Sequence, residues 1–110
     1  LERAFSESLQ TLKLLNVRNT LYVDSELSTL SGKNAAAILD FYEEVIEADL
    51  ENLTSVQISL ANINGLRLSL NVCCEADLSI FLNKGNVLYE MDDDAGYQHL
   101  VFIIEGGAAV

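Results

Sequence analysis

Five acids, Asp40, Glu43, Glu44, Glu47 and Glu51, recur at intervals of three and four residues, a spacing that on a helix lines them along one side. Carboxylates gathered this way can take a divalent cation or dock a basic partner. A hard-cation site, however, also needs convergent oxygens from a turn, and no second ligand cluster accompanies the stripe. A solvated face opposite an apolar stripe is therefore the expected reading. The run Asp92-Asp93-Asp94 lacks the Gly and terminal Glu spacing of a calcium loop and is expected to form a hairpin tip. His99 lies among apolar residues of a strand-like stretch with no Ser or Cys nucleophile placed near it, so a structural role is expected. Cys73 and Cys74 are adjacent; in a strand they point to opposite faces and do not bridge. Without CxxC spacing, and with His99 as the single imidazole, no zinc site is expected. Walker-type, GxSxG and GxGxxG loops are missing. From the residues alone, no catalytic group and no metal ligand is assigned.

The chain that must position these groups has 110 residues, 50% of them hydrophobic, no Pro or Trp, and a formal net charge of −11. That length allows roughly two-thirds of the unfolded surface to be buried around one core. The charge repels phosphate backbones and anionic lipid, which excludes nucleic acid and direct membrane contact as expected partners. No apolar run reaches the roughly 18 residues of a membrane span, and a basic stretch followed by an apolar one, as a signal peptide would show, is not read at residues 1 to 15. With reduced thiols this points to a cytoplasmic setting. The sequence starts at Leu1, already in a helical pattern, and is expected to be a piece of a longer protein.

Leu1, Ala4, Phe5, Leu9, Leu12 and Leu15 predict an amphipathic helix over residues 1 to 15. Thr20 to Val23 has strand composition and is followed by turn formers, with Ser31 or Gly32 starting the next helix. That helix, 33 to 51, is expected to bury Ile38, Phe41, Tyr42, Val45 and Ala48; it carries six acids against one Lys. Val56, Ile58 and Leu60, then Leu66, Leu68, Leu70 and Val72, alternate with polar or small residues around Asn64-Gly65. This predicts a two-residue type I′ hairpin in a sheet covered on one side. A short third helix is expected over 75 to 83. Strands over 86 to 91 and 97 to 104 follow, the latter apolar on both faces between Leu100 and Ile104 and hence central, covered, or a homodimer contact. Residues 106 to 110 read as a flexible tail. The fold expected is α+β: one domain over residues 1 to 110, a two-layer sandwich with a mixed sheet of about five strands and helices on one face. A ferredoxin-like arrangement is the nearest rival.

A helix running into a hairpin resembles the heart of the histidine-kinase-like ATPase fold, the Bergerat fold of the GHKL superfamily. There a helix bearing Glu-x-x-x-Asn-Ala precedes a hairpin that ends in Asp-x-Gly-x-Gly. Phe41 to Ala48 keeps the Glu as Glu43 and the Ala as Ala48, whereas Glu47 stands at the magnesium-ligating Asn. Cys74-Glu75-Ala76-Asp77-Leu78 stands where the adenine-reading Asp and the glycines belong, and a strand begins soon after Gly85, where family members have a long glycine-rich lid. The chain also resembles C-terminal ends of bacterial sensor histidine kinases, whose phospho-accepting His would lie upstream of Leu1.

The resemblance implies a degenerate ATPase-like domain of a two-component signalling protein. It would act as a structural or regulatory module on a protein partner or on the rest of a parent chain, a membrane-anchored parent being one setting. At about 4 Å and an effective dielectric near 20, each charge repulsion between triphosphate and carboxylate is worth up to about 4 kcal/mol, so neither ATP nor magnesium is expected. The alternatives are an active kinase domain, with Glu43 as base and Glu47 in place of Asn, binding ATP and magnesium through both, and a homodimeric binding module joined through the Leu100 to Ile104 strand.

Overall fold

A computed structural model describes residues 2–24, 32–62, 65–94 and 96–104. The elements run α1 (Glu2–Leu14), β1 (Arg18–Val23), α2 (Gly32–Ala48), a 3-10 turn (Leu50–Asn52), β2 (Ser55–Asn62), β3 (Leu66–Cys73), a 3-10 segment (Leu78–Lys84), β4 (Val87–Asp92) and β5 (Tyr97–Ile104). The strands form one mixed sheet in the order β1-β2-β3-β5-β4, with β1 parallel to β2 and every other pair antiparallel. Parallel neighbours need a crossover, and α2 lies within that connection. Because β1 and β2 pair directly, the split βαβ unit of the ferredoxin-like rival is not formed. The α+β class, the five-strand mixed sheet and the two-layer form expected from the pattern are those observed.

Alternation decides the two faces. Val56, Ile58 and Leu60 of β2, Leu66, Leu68, Leu70 and Val72 of β3, and Leu100 and Phe102 of β5 turn inward in register and form the core with the helices. From α1 come Phe5, Leu9 and Leu12; from α2 come Ile38, Phe41, Tyr42, Val45 and Ile46. Burying each such side chain contributes about 1.5–3 kcal/mol. The Phe5 and Tyr42 rings meet edge-on at 5.0 Å, and the Tyr42 hydroxyl pairs with Ser8 Oγ at 2.8 Å, which joins the two helices. Burial raises the Tyr42 pKa above its ordinary value. The helix α1 ends with Asn16 at φ 62°, and the Asn16 and Val17 N–H groups donate to the Lys13 and Leu12 carbonyls at 3.1 and 2.9 Å. This is a Schellman closure, with Leu12 and Val17 both buried.

Several local expectations are corrected. Ala48 is exposed and Ile46 takes its place in the core, because α2 stops at Ala48 and its last turn presents Val45 and Ile46 to the sheet. The helix does not reach 51; Asp49 leaves helical geometry at φ −152°, ψ 50°. Leu15 lies beyond α1 and is 54% exposed. At the first hairpin, Asn62 pairs with Leu66, which leaves three residues between the strands instead of two. Gly65 has φ 109°, in keeping with a positive-φ residue closing a three-residue connection; Asn64 lies outside the described residues, as do Leu1, Ser31 and the 106 to 110 tail. The expected third helix over 75 to 83 is instead the 3-10 segment from Leu78 to Lys84. Its two buried residues, Leu78 and Phe81, are three apart, which suits three residues per turn. Asp77 caps its start by accepting from the Ser79 N–H at 3.0 Å, and Gly85 closes it at φ 83°.

The strand β5 is flanked by β3 and β4 and is paired on both sides. On its outer face Val101 is nearly buried, between Ser69 and Leu88 in register. That explains a strand apolar on both sides by lateral neighbours. No helix among the described residues is long and apolar enough to cross a membrane.

Candidate functional site

The residues singled out by the resemblance lie on α2 and on the segment after β3, which run beside one another through Phe41, Phe81, Glu44 and Lys84. Glu43 and Glu47 are exposed, as are Asp40, Glu44 and Glu51; the first four form the expected acidic stripe on the outward side of α2, whereas Glu51 falls in the 3-10 turn beyond its end. Among the described residues, Glu43 and Glu47 make no hydrogen bond or ion pair with one another or with a neighbour. Glu44 differs: its Oε2 receives Lys84 Nζ at 2.8 Å, and both groups are partly open to solvent, so the pair contributes at most about 1 kcal/mol. Its use is positional, since it holds the end of the 3-10 segment on α2. Beneath it the Phe81 and Phe41 rings meet edge-on at 5.7 Å, and Phe41 stacks on Phe102 of β5 at 4.7 Å.

Two residues that motif reasoning passed over organise the loop between β3 and the 3-10 segment. Asp49 Oδ2 accepts from the successive N–H groups of Glu75 and Ala76, at 2.9 and 2.8 Å, while Oδ1 accepts from Asn52 Nδ2 at 2.8 Å. The Ala76 N–H contact, with Asn52 and Glu75 adding to it, holds the Asp49 carboxyl below the usual carboxylate range. Such a contact is present above the ordinary carboxylate pKa and is lost as pH falls through the depressed value. Gln98, buried on the inner face of β5, is the second organiser. Its Oε1 accepts from the Leu78 N–H and the Tyr89 hydroxyl, both at 2.8 Å, and its Nε2 donates to the Ala76 carbonyl at 2.7 Å and to Cys74 Sγ at 3.7 Å.

Both residues leave a trace in the sequence. Gln98 is a polar residue at an inward position of an alternating strand, and Asp49 is the acid of the expected 33 to 51 helix that falls off the stripe. Neither trace names the partner. Burial first, and the Asp49 charge second, push the Cys74 thiol up. The two cysteines are free, and Cys73 lies on the outer face, in register with Ser55.

The remaining candidates gather elsewhere. His99 sits on the outer face of β5 opposite Asn71, to whose Oδ1 its Nδ1 is hydrogen-bonded. With Asn71, Glu90, Tyr97 and Asp92 to Asp94 it lines an open concavity of about 640 Å³. Among the described residues neither Ser nor Cys lines it. Asp93 and Asp94 form the turn after β4, where the Gly96 N–H donates to the Asp92 carbonyl at 2.9 Å, the hairpin tip expected. Among the described residues no group of three or more His, Cys, Asp or Glu is arranged to hold a metal ion.

The junction of α2 with the post-hairpin segment is thus built to hold its own parts together: its carboxylates receive backbone N–H groups and a lysine, and its aromatic rings face one another. No family model, no curated protein and no solved structure matches the chain.

Proposed function

We propose that this chain is a degenerate histidine-kinase-like ATPase domain from a bacterial two-component signalling protein, working in the cytoplasm as a structural or regulatory interaction module without tight ATP binding. The reading is supported by the order of elements, a helix leading to a hairpin in a mixed five-strand sheet, and by the Glu43 and Ala48 remnant of the family motif. The observation that carries its degenerate part is the closure of the segment after β3 onto α2. Asp49 takes the loop amides, Phe81 packs on Phe41, and Lys84 pairs with Glu44. A triphosphate needs free N–H donors and cations, and here these groups already serve the fold. The partner is a protein or the rest of a parent chain.

The active alternative, with Glu43 as base and Glu47 replacing the magnesium-ligating Asn, finds less support, because both carboxylates stand in solvent and no companion ligand is grouped with them among the described residues. A homodimer through Leu100 to Ile104 also finds less: β5 is paired on both sides, and Leu100 and Phe102 belong to the core. Calorimetric titration with Mg-ATP is the direct test. Binding too weak to produce a saturable heat is expected; a micromolar dissociation constant would overturn the reading.

A further inference from the structure

Successive backbone N–H groups that converge on one point form a concavity suited to an anion, and the Glu75 and Ala76 amides do so on a single oxygen of Asp49, at 2.9 and 2.8 Å. Asp49 follows the last residue of α2 and has left helical geometry, which allows its carboxylate to reach a loop 26 and 27 residues further along the chain. Its other oxygen is fixed by Asn52. Two donors further along are also taken: Leu78 N–H by Gln98 and Ser79 N–H by Asp77.

We propose that Asp49 is an internal anionic ligand, filling a two-amide anion site of its own chain and thereby latching the 74–78 loop shut against an external carboxylate or phosphate. This deepens the reading of a nucleotide domain closed from within, and rests on that reading only for its biological meaning; the contact itself stands on the geometry. A carboxylate that served merely as one more surface acceptor would not need two amides on one oxygen and a third donor on the other. An internal ligand has a further property: once removed, a free anion of the same chemistry restores its effect.

Amide hydrogen exchange on the isotope-labelled 110-residue chain tests this, with formate as the probe. In Asp49→Ala, exchange at Glu75 and Ala76 is expected to quicken at least about tenfold, as charge-assisted hydrogen bonds are lost, while Ile58 and Leu70 in the sheet keep their protection. Added formate is expected to slow the two amides again. Asp49→Asn, which keeps one acceptor oxygen, is expected to fall between wild type and Asp49→Ala, and it serves if the alanine variant does not fold. Unchanged exchange at Glu75 and Ala76, equal acceleration throughout the sheet in both variants, or indifference to formate would each overturn the latch. None of these results bears on Mg-ATP titration of the wild type, so the latch and the functional reading can fail separately.

Discussion

The inner junction between α2 and the segment after β3, and the outer face at the β4–β5 end of the sheet, hold similar residue types and use them in opposite ways. At the junction the Asp49 carboxylate, the Gln98 amide and the Tyr89 hydroxyl each have a short bond to a partner from another part of the chain. On the outer face Glu90, Asp92, Asp93 and Asp94 surround an open concavity, and the His99 to Asn71 contact crosses between neighbouring strands. The difference follows from solvent at Gln98, which is buried: left unpaired, such a group costs its full desolvation, so its amide is matched. Asp49 stands at the rim of the junction and is held by its three donors; on the outer face, where water covers the sheet, carboxylates can stand in clusters at little cost. The groups tied to distant parts of the chain therefore report what the fold requires, and the clustered outer carboxylates report what it tolerates.

If that contrast is right, variants on the two sides differ in effect by several fold. The largest change is expected for Phe41→Ala, which removes the ring between Phe81 and Phe102 and should lower unfolding free energy by about 3–5 kcal/mol, as large-to-small core changes do. Chemical denaturation measures it, and a loss below about 1 kcal/mol would mean that the 3-10 segment does not depend on α2 for its place. Next is Gln98→Ala. It strands the buried Leu78 N–H and releases the Tyr89 hydroxyl and the Ala76 carbonyl, so about 2–3 kcal/mol should be lost. The same denaturation curves, joined to exchange at Leu78, separate a loosened loop from a loosened sheet. The smallest is His99→Ala, which gives up one partly exposed bond and should cost about 0.5–1 kcal/mol. A cost equal to that of Gln98→Ala would break the comparison and make the outer face a structural region in its own right.

The sheet was the most legible part of the chain. In the stretch from Val56 to Val72 the apolar residues alternate so regularly that strand, hairpin and inward face follow from the side-chain period of two. The acidic stripe was legible for the same reason, through the helical period. Errors collected where elements end. Ala48 fits the helical stripe by spacing, yet the helix stops there; the 75 to 83 stretch has apolar residues enough for a helix, yet Glu75 and Ala76 are bonded to Asp49 instead of to a helical turn. Boundaries are settled by long-range contacts, to which a period is blind. The candidate site shows the same division. Glu43 and Glu47 were visible through a motif and stand in solvent, whereas Asp49 and Gln98, which hold the junction, carry no motif.

Two different kinds of interaction account for this. Hydrophobic burial is non-directional and sums over many residues, so the pattern of residue types along the sequence suffices to determine the α+β class, the two-layer form, the inward faces and the surplus of negative charge on α2. A hydrogen bond is directional and fails within a few tenths of an ångström. Whether Asp49 meets the Glu75 and Ala76 amides, or Gln98 the Leu78 N–H, depends on how α2, the loop and β5 are set against one another. Only the tertiary structure decided that, and with it the use of these polar groups to close the junction from within.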